Sequence, residues 1–150
     1  MTSTCSIVTV ERQPTAVVKA KVPFAEIPQA QRAARAKIDA GLPLLDTGAL
    51  GLACTRWLPP QAGALDMEMG TIVARPIEAR GEIVPSELPA GRAAHAVMVG
   101  PFDGMGAAWQ TLFDWCQAEK LKPAGINWEV YGPTPSDPAK QETYLYALLS

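Results

Sequence analysis

A chain of 150 residues is long enough to bury one core, and a hydrophobic fraction of 48% with 19% charged residues excludes a disordered polypeptide. Thirteen basic and fifteen acidic side chains leave a net charge of −2, so the basic footprint of a nucleic-acid binder is missing. No apolar run reaches the roughly 20 residues of a membrane helix, and Met1-Thr2-Ser3-Thr4-Cys5 lacks the basic and apolar regions of a signal peptide. Cys5, Cys54 and Cys116 are odd in number, widely spaced and without a CxxC pair, the pattern of reduced thiols in a cytoplasmic protein. With His95 as the only histidine, a structural zinc site is not expected, and no cofactor is implied.

In chain order, Ser6 to Val22 breaks at Gln13-Pro14 and then alternates, with Ala16, Val18, Ala20 and Val22 against Val17, Lys19 and Lys21. β-Branched residues across the segment and period-2 alternation beyond the break predict a hairpin. Pro28 opens a helix whose stripe is Ile27, Ala30, Ala34 and Ile38; Gly41 fits a left-handed position past its end, and Pro43 prevents continuation. Gly48 to Leu58 and Leu65 to Ala74 predict a strand pair around Pro59-Pro60-Gln61-Ala62-Gly63. The stretch from Pro76 to Gly91, rich in Pro, Gly and Glu, reads as a connection between two halves.

The order then repeats. Ala94 to Val99 predicts a strand, and Met105, Trp109, Leu112 and Cys116 form the stripe of a second helix with Asp103 as its N-cap. Ile126 to Tyr131 and Thr143 to Leu149 predict two strands around the proline-rich loop Gly132 to Lys140. Val22-Pro23-Phe24 matches Gly100-Pro101-Phe102 at an offset of 78 residues, kept by Ile27 and Met105, Ala30 and Ala108, and Ala34 and Leu112. Trp57-Leu58-Pro59 matches Tyr131-Gly132-Pro133 at an offset of 74. The expected fold is α+β, one domain over 1–150. Two strand-helix-strand-strand halves, about 5–75 and 92–150, would form one antiparallel sheet with two helices and a central cleft.

Among the residues able to carry chemistry Glu129 ranks first. In its strand Asn127, Glu129 and Tyr131 share one face and Ile126, Trp128 and Val130 the other. The bulk of Trp128 predicts that its face packs under the helix and that Glu129 looks into the cleft. A poorly solvated carboxylate there gains from a cationic ligand. The residues alone fit a solvated edge-strand carboxylate equally well. Trp57, Trp109, Trp128, Tyr131, Tyr144 and Tyr146 gather in segments expected around the cleft, where aromatic faces stabilise cations. Trp109 also has the spacing of a core stripe, whereas Trp57 stands at the repeat position of Tyr131. Glu68, between Met67 and Met69, is either a second cleft acid, suited to acid–base work if it faced Glu129, or a solvated strand residue. Thr55 replaces Glu129 in the first half, so one charge and one ligand per chain are expected. Nothing in the spacing pairs His95 with a cysteine as a nucleophile.

Gly100-Pro101-Phe102, Trp109, Trp115, Gly125, Trp128-Glu129-Val130-Tyr131, Pro135, Asp137-Pro138 and Thr143-Tyr144-Leu145-Tyr146 together resemble the GyrI-like family, and Asp66-Met67-Glu68-Met69-Gly70 fits it in the earlier half. The family includes the effector-binding domains of multidrug-sensing bacterial transcription activators. The resemblance implies a duplicated fold in which an acid at the position of Glu129 lies at the bottom of an aromatic pocket for cationic or amphipathic ligands. Tyr131, Trp57, Trp109, Tyr146 and Glu68 are the other expected ligand contacts. Some stand-alone members resemble hydrolases that open the cyclopropane ring of DNA-alkylating natural products; in such an enzyme Glu129 would be catalytic. Others are described as gyrase-interacting or toxin-protecting, which leaves a protein partner open. No helix-turn-helix precedes residue 5, so direct nucleic-acid binding is not expected.

Overall fold

A computed structural model describes residues 2–60 and 62–150 of the protein; Gln61, in the expected turn, and Met1 lie outside the described residues. In chain order the elements are β1 (Ser6–Val10), β2 (Gln13–Pro23), α1 (Ile27–Gly41), β3 (Leu50–Trp57), β4 (Ala64–Val73), β5 (Ile83–Leu88), β6 (Gly91–Val99), α2 (Met105–Ala118), β7 (Pro123–Tyr131) and β8 (Glu142–Leu149). Among the described residues these are eight antiparallel strands and two α-helices, the α+β class expected. The chain divides into two compact units, residues 12–89 and residues 1–11 with 90–150, each with four strands and one helix. Neither helix is long and apolar enough to cross a membrane, among the described residues.

In the first unit the strands run β5-β2-β4-β3 and in the second β1-β6-β8-β7. The register repeats as well as the order. Val18 lies across from Met69 and Met69 from Thr55; likewise Ala96 lies across from Leu145 and Leu145 from Glu129. The two rungs are 78 residues apart at Val18 and Ala96, 76 at Met69 and Leu145, and 74 at Thr55 and Glu129. The offsets legible along the sequence are thus those of matched sheet positions.

Two expectations about pairing need correction. Ser6–Val22 is not a hairpin, because β1 pairs with β6 while β2 pairs with β4 and β5. The segment 76–91 is not only a connection, because β5 forms within it and covers the other edge of β2. Both strands are short and lie next to the wrong neighbour in sequence; pairing is decided by which edge remains open, which periodicity does not report.

The helices bury the stripes expected of them. Ala34 and Ile38 are the buried residues of α1, and Ala108, Leu112 and Cys116 those of α2. In the second unit α2 rests on Ala94, Ala96, Met98, Leu145 and Ala147, a floor made mostly of small side chains. Small residues let the helix approach closely, so bulky Leu112 fills the gap from above.

Gly41 is not left-handed: its φ is −97° and the chain runs on into the 3-10 turn Leu42–Leu44. A Cβ there would come 2.4 Å from Ile83 Cδ1, so the glycine makes room for β5 rather than ending the helix by a positive φ. Asp103 does not cap α2 either. It sits in the 3-10 turn Phe102–Gly104, and the N-cap residue Gly104 has no side chain to offer.

Candidate functional site: a buried carboxylate held by an indole and a phenol

Opposite residues on neighbouring strands share a face. Glu129 lies across from Leu145, and Asn127 across from Ala147, both of which belong to the floor beneath α2. The Asn127-Glu129-Tyr131 face is therefore the helix side of the sheet. Trp128, expected under the helix, is on the other side. There it stacks on Tyr146 at 5.2 Å between ring centroids, and Tyr146 stacks on His95 at 4.5 Å. The physical reason is volume: a row of three rings buries itself by mutual stacking, whereas the helix needs the alanine floor.

Glu129 is only 4% exposed. Trp109 Nε1 donates to Glu129 Oε2 at 2.6 Å, and the Tyr131 hydroxyl donates to Glu129 Oε1 at 2.7 Å. The indole N–H is a donor only, and both partners suit an ionised carboxylate, which is acceptor-only. The sequence places these groups simply. Trp109 lies one turn beyond Met105 at the start of α2, and Tyr131 is two residues beyond Glu129 on the same strand face. Trp109 also stacks on Phe113 at 5.5 Å, and Phe102 meets Tyr131 edge-on at 5.7 Å and 79°. The site thus combines one buried acid with two ring systems on it and two more behind them.

Of the six expected contacts, the structure brings together Glu129, Tyr131 and Trp109. Tyr146 faces the opposite side of its sheet with Trp128, and burial raises its phenol above the usual value. Trp57 belongs to the other unit, across β3–β4 from Met67. Glu68, 4% exposed, is in that unit as well; Arg35 of α1 reaches Thr71 Oγ1, so by strand alternation Glu68 is on the side away from α1. Arg56 Nη2 donates to both of its carboxylate oxygens at 3.0 Å, Lys19 Nζ is 3.8 Å away, and the Ser86 hydroxyl donates to Oε1. Arg56, Lys19 and Ser86 thus surround Glu68. The nearby depression of about 340 Å³, lined by Lys19, Lys21, Leu58, Asp66, Met67 and Glu68, contains as many bases as acids.

Phe102 borders the site beyond the six expected contacts; its signal in the sequence is Gly100-Pro101-Phe102, shared by the repeat and the resemblance. Arg56 was missed too; a base one rung across from Glu68 in the predicted strand pair was the available signal.

The cysteines are not poised for nucleophilic work. Burial pushes the Cys54 thiol up to about 12, with Arg35 and Arg56 pulling it down and Glu68 adding to the rise. Cys116 is raised by burial and then by Cys5, and Cys5 by burial. At pH 8 a thiol of pKa about 12 is ionised in about one molecule in 10⁴. A water-soluble maleimide at pH 8 should therefore modify the half-buried Cys5 first and Cys54 only once the chain unfolds. Mass mapping of a time course checks this; labelling of Cys54 at the rate of Cys5 would show the site to be open.

A family model for the GyrI-like small molecule binding domain matches residues 3–147. The chain belongs to this family, and it is a small-molecule-binding domain. No curated protein matches it by sequence. Among solved structures it is similar to the EcmrR C-terminal domain, at 16% identity and a TM-score of 0.79 over 98% of this chain and 97% of that one. It is also similar to SAV2435 bound to tetraphenylphosphonium, at 11% identity and a TM-score of 0.70 over 98% and 94%. A hydrolase from Listeria innocua aligns at 13% identity and a TM-score of 0.59 over 97% and 91%. At these identities the likeness is one of fold.

Proposed function

We propose that the domain binds one hydrophobic, flat or amphipathic cation per chain at Glu129. The observation that carries this reading is a carboxylate 4% exposed, aimed by Trp109 and Tyr131 and bordered by aromatic rings. A carboxylate that is already desolvated loses little more when a cation arrives, so the Coulomb attraction is offset less than at a surface. Aromatic faces add roughly 0.5–2 kcal/mol each for a cation shielded from water and demand no single orientation. The presence of tetraphenylphosphonium on a protein of the same fold fits the same chemistry.

The counterpart of Glu129 in the repeat is Thr55, so one unit alone supplies this carboxylate. Calorimetric titration with tetraphenylphosphonium should give one equivalent per chain. Two equivalent sites would refute the asymmetry.

A second reading rests on the Tyr131–Glu129 hydrogen bond, a proton donor and acceptor in direct contact at 2.7 Å. Such a couple suits a hydrolase that opens a strained, electrophilic ring: Glu129 takes a proton from water while Tyr131 donates one to the departing electron pair. Turnover of a cyclopropane-bearing alkylator followed by mass spectrometry tests it; turnover unaltered in Glu129→Ala would exclude the role.

A further inference from the structure

One rung from Glu129 the sheet holds a polar atom that the fold leaves unsatisfied. Thr143 is 0% exposed, and its Oγ1 has no hydrogen-bond partner among the described residues. It lies across from Tyr131 on one side and from Met98 on the other. Since Tyr131 shares the face of Glu129 and Met98 belongs to the floor under α2, the Thr143 side chain is on the helix side too. It is the diagonal neighbour of Glu129, a separation of about 7–8 Å between Cα atoms.

The 3-10 turn Phe102–Gly104 crosses this rung. At one end a Cβ on Gly104 would lie 3.7 Å from Met98 Sδ; at the other the Phe102 ring meets Tyr131. The turn thus reaches both residues that flank Thr143 in the rung. Phe102 is 55% exposed, and its edge-on contact with Tyr131 is the ring contact that holds it among the described residues. A buried hydroxyl without a partner costs about 1–3 kcal/mol relative to a satisfied one. An apolar residue such as valine would have filled the same volume without that cost. The arrangement is an unsatisfied hydroxyl beside a half-exposed aromatic ring and a buried carboxylate.

We infer that Thr143 is a ligand contact. Its hydroxyl hydrogen-bonds a polar group of the bound cation, a group placed several ångströms from the charge that Glu129 holds, after Phe102 swings aside. This rests on the cation site proposed above and narrows its ligand class, from any hydrophobic cation to aromatic cations that carry an amino, hydroxyl or carbonyl group near the charge. Thr143 then sets specificity, because a cation without such a group leaves the hydroxyl unsatisfied in the complex as well.

The test uses two probes of the same ring system and charge: ethidium, with two aromatic amino groups, and 5-ethyl-6-phenylphenanthridinium, which lacks them. Both are titrated into wild type, Thr143→Val and Glu129→Gln, and the unfolding midpoint of each variant is measured. Thr143→Val should weaken ethidium about fivefold to tenfold, as expected for one hydrogen bond lost, and leave the deaminated cation unchanged. It should not lower the unfolding midpoint, since a methyl replaces an unpartnered hydroxyl. Equal effects of Thr143→Val on both probes, or none on either, overturn the inference, and the cation site still stands if Glu129→Gln weakens both. A lowered midpoint with unaltered affinities would show the hydroxyl satisfied inside the fold, and also overturns it. If neither probe binds wild type, the cation reading fails and Thr143 falls with it.

Discussion

Glu129→Gln should weaken binding of tetraphenylphosphonium about a hundredfold and change the affinity of its neutral isostere tetraphenylmethane-type analogues less than threefold. Removing one partner of a desolvated charge pair costs about 2–5 kcal/mol, and about 2.7 kcal/mol corresponds to a hundredfold. The substitution is suited to this site because its geometry can absorb it. Trp109 Nε1 only donates, so the amide oxygen of glutamine must take the place of Oε2. The amide nitrogen then meets the Tyr131 hydroxyl in place of Oε1. A phenol is a rotor that donates or accepts, and it can turn to accept from the amide. Both contacts survive in number, and stability should shift by no more than about 1 kcal/mol. A urea titration alongside the binding isotherms separates the two effects. An equal loss of cation and neutral isostere would mean that the pocket had changed shape, and unaltered cation affinity would remove Glu129 from the site.

The sequence carried Glu129 and Tyr131 because strand alternation is a two-residue code, short enough to survive in six residues. It did not carry the direction of that face. The size of Trp128 pointed to the helix, yet size is what excludes it: α2 sits on alanines, and Trp128 joins Tyr146 and His95 where stacking replaces a helix as cover. Trp109 could not be resolved from spacing, since a core stripe and a ligand wall both repeat every three or four residues. Its role depends on an N–H reaching a carboxylate twenty positions later, a tertiary fact. The repeat was legible at the helix starts, Ile27 and Met105, because Pro-Phe precedes each. The strands β1 and β5 were not, since their partners are set by open edges elsewhere in the chain.

The same contrast between local pattern and tertiary approach makes Gly70→Ala the most damaging small substitution expected in the first unit. Gly70 lies in the middle of β4, across from Val17 on one side and Cys54 on the other. A Cβ there would fall 1.8 Å from the Ala16 carbonyl oxygen, 2.7 Å from Ala16 C and 2.8 Å from Val17 Cα. All three are backbone atoms, so no rotamer change relieves the clash. Moving β2 away is costly in turn, because Ala16 and Val17 are also paired with Pro85 and Val84 of β5. Arg35 ties the other side, donating to the Gly70 carbonyl at 3.2 Å and to Thr71 Oγ1 at 3.1 Å. Overpacking usually costs 1–3 kcal/mol when side chains yield; against the rigid backbone of β2 about 4 kcal/mol is expected, a large share of a total near 5–15 kcal/mol. Gly41→Ala provides the comparison. Its Cβ meets only the end of the Ile83 side chain, whose Cδ1 a χ2 change can withdraw, and alanine gains at most about 1 kcal/mol of helix propensity over glycine at this last position of α1, so the net change should lie within about 1 kcal/mol. Urea unfolding of the two variants side by side decides the matter. If Gly70→Ala proves as stable as Gly41→Ala, then β2 and β4 can separate without loss, and the close approach of their backbones contributes nothing to the fold.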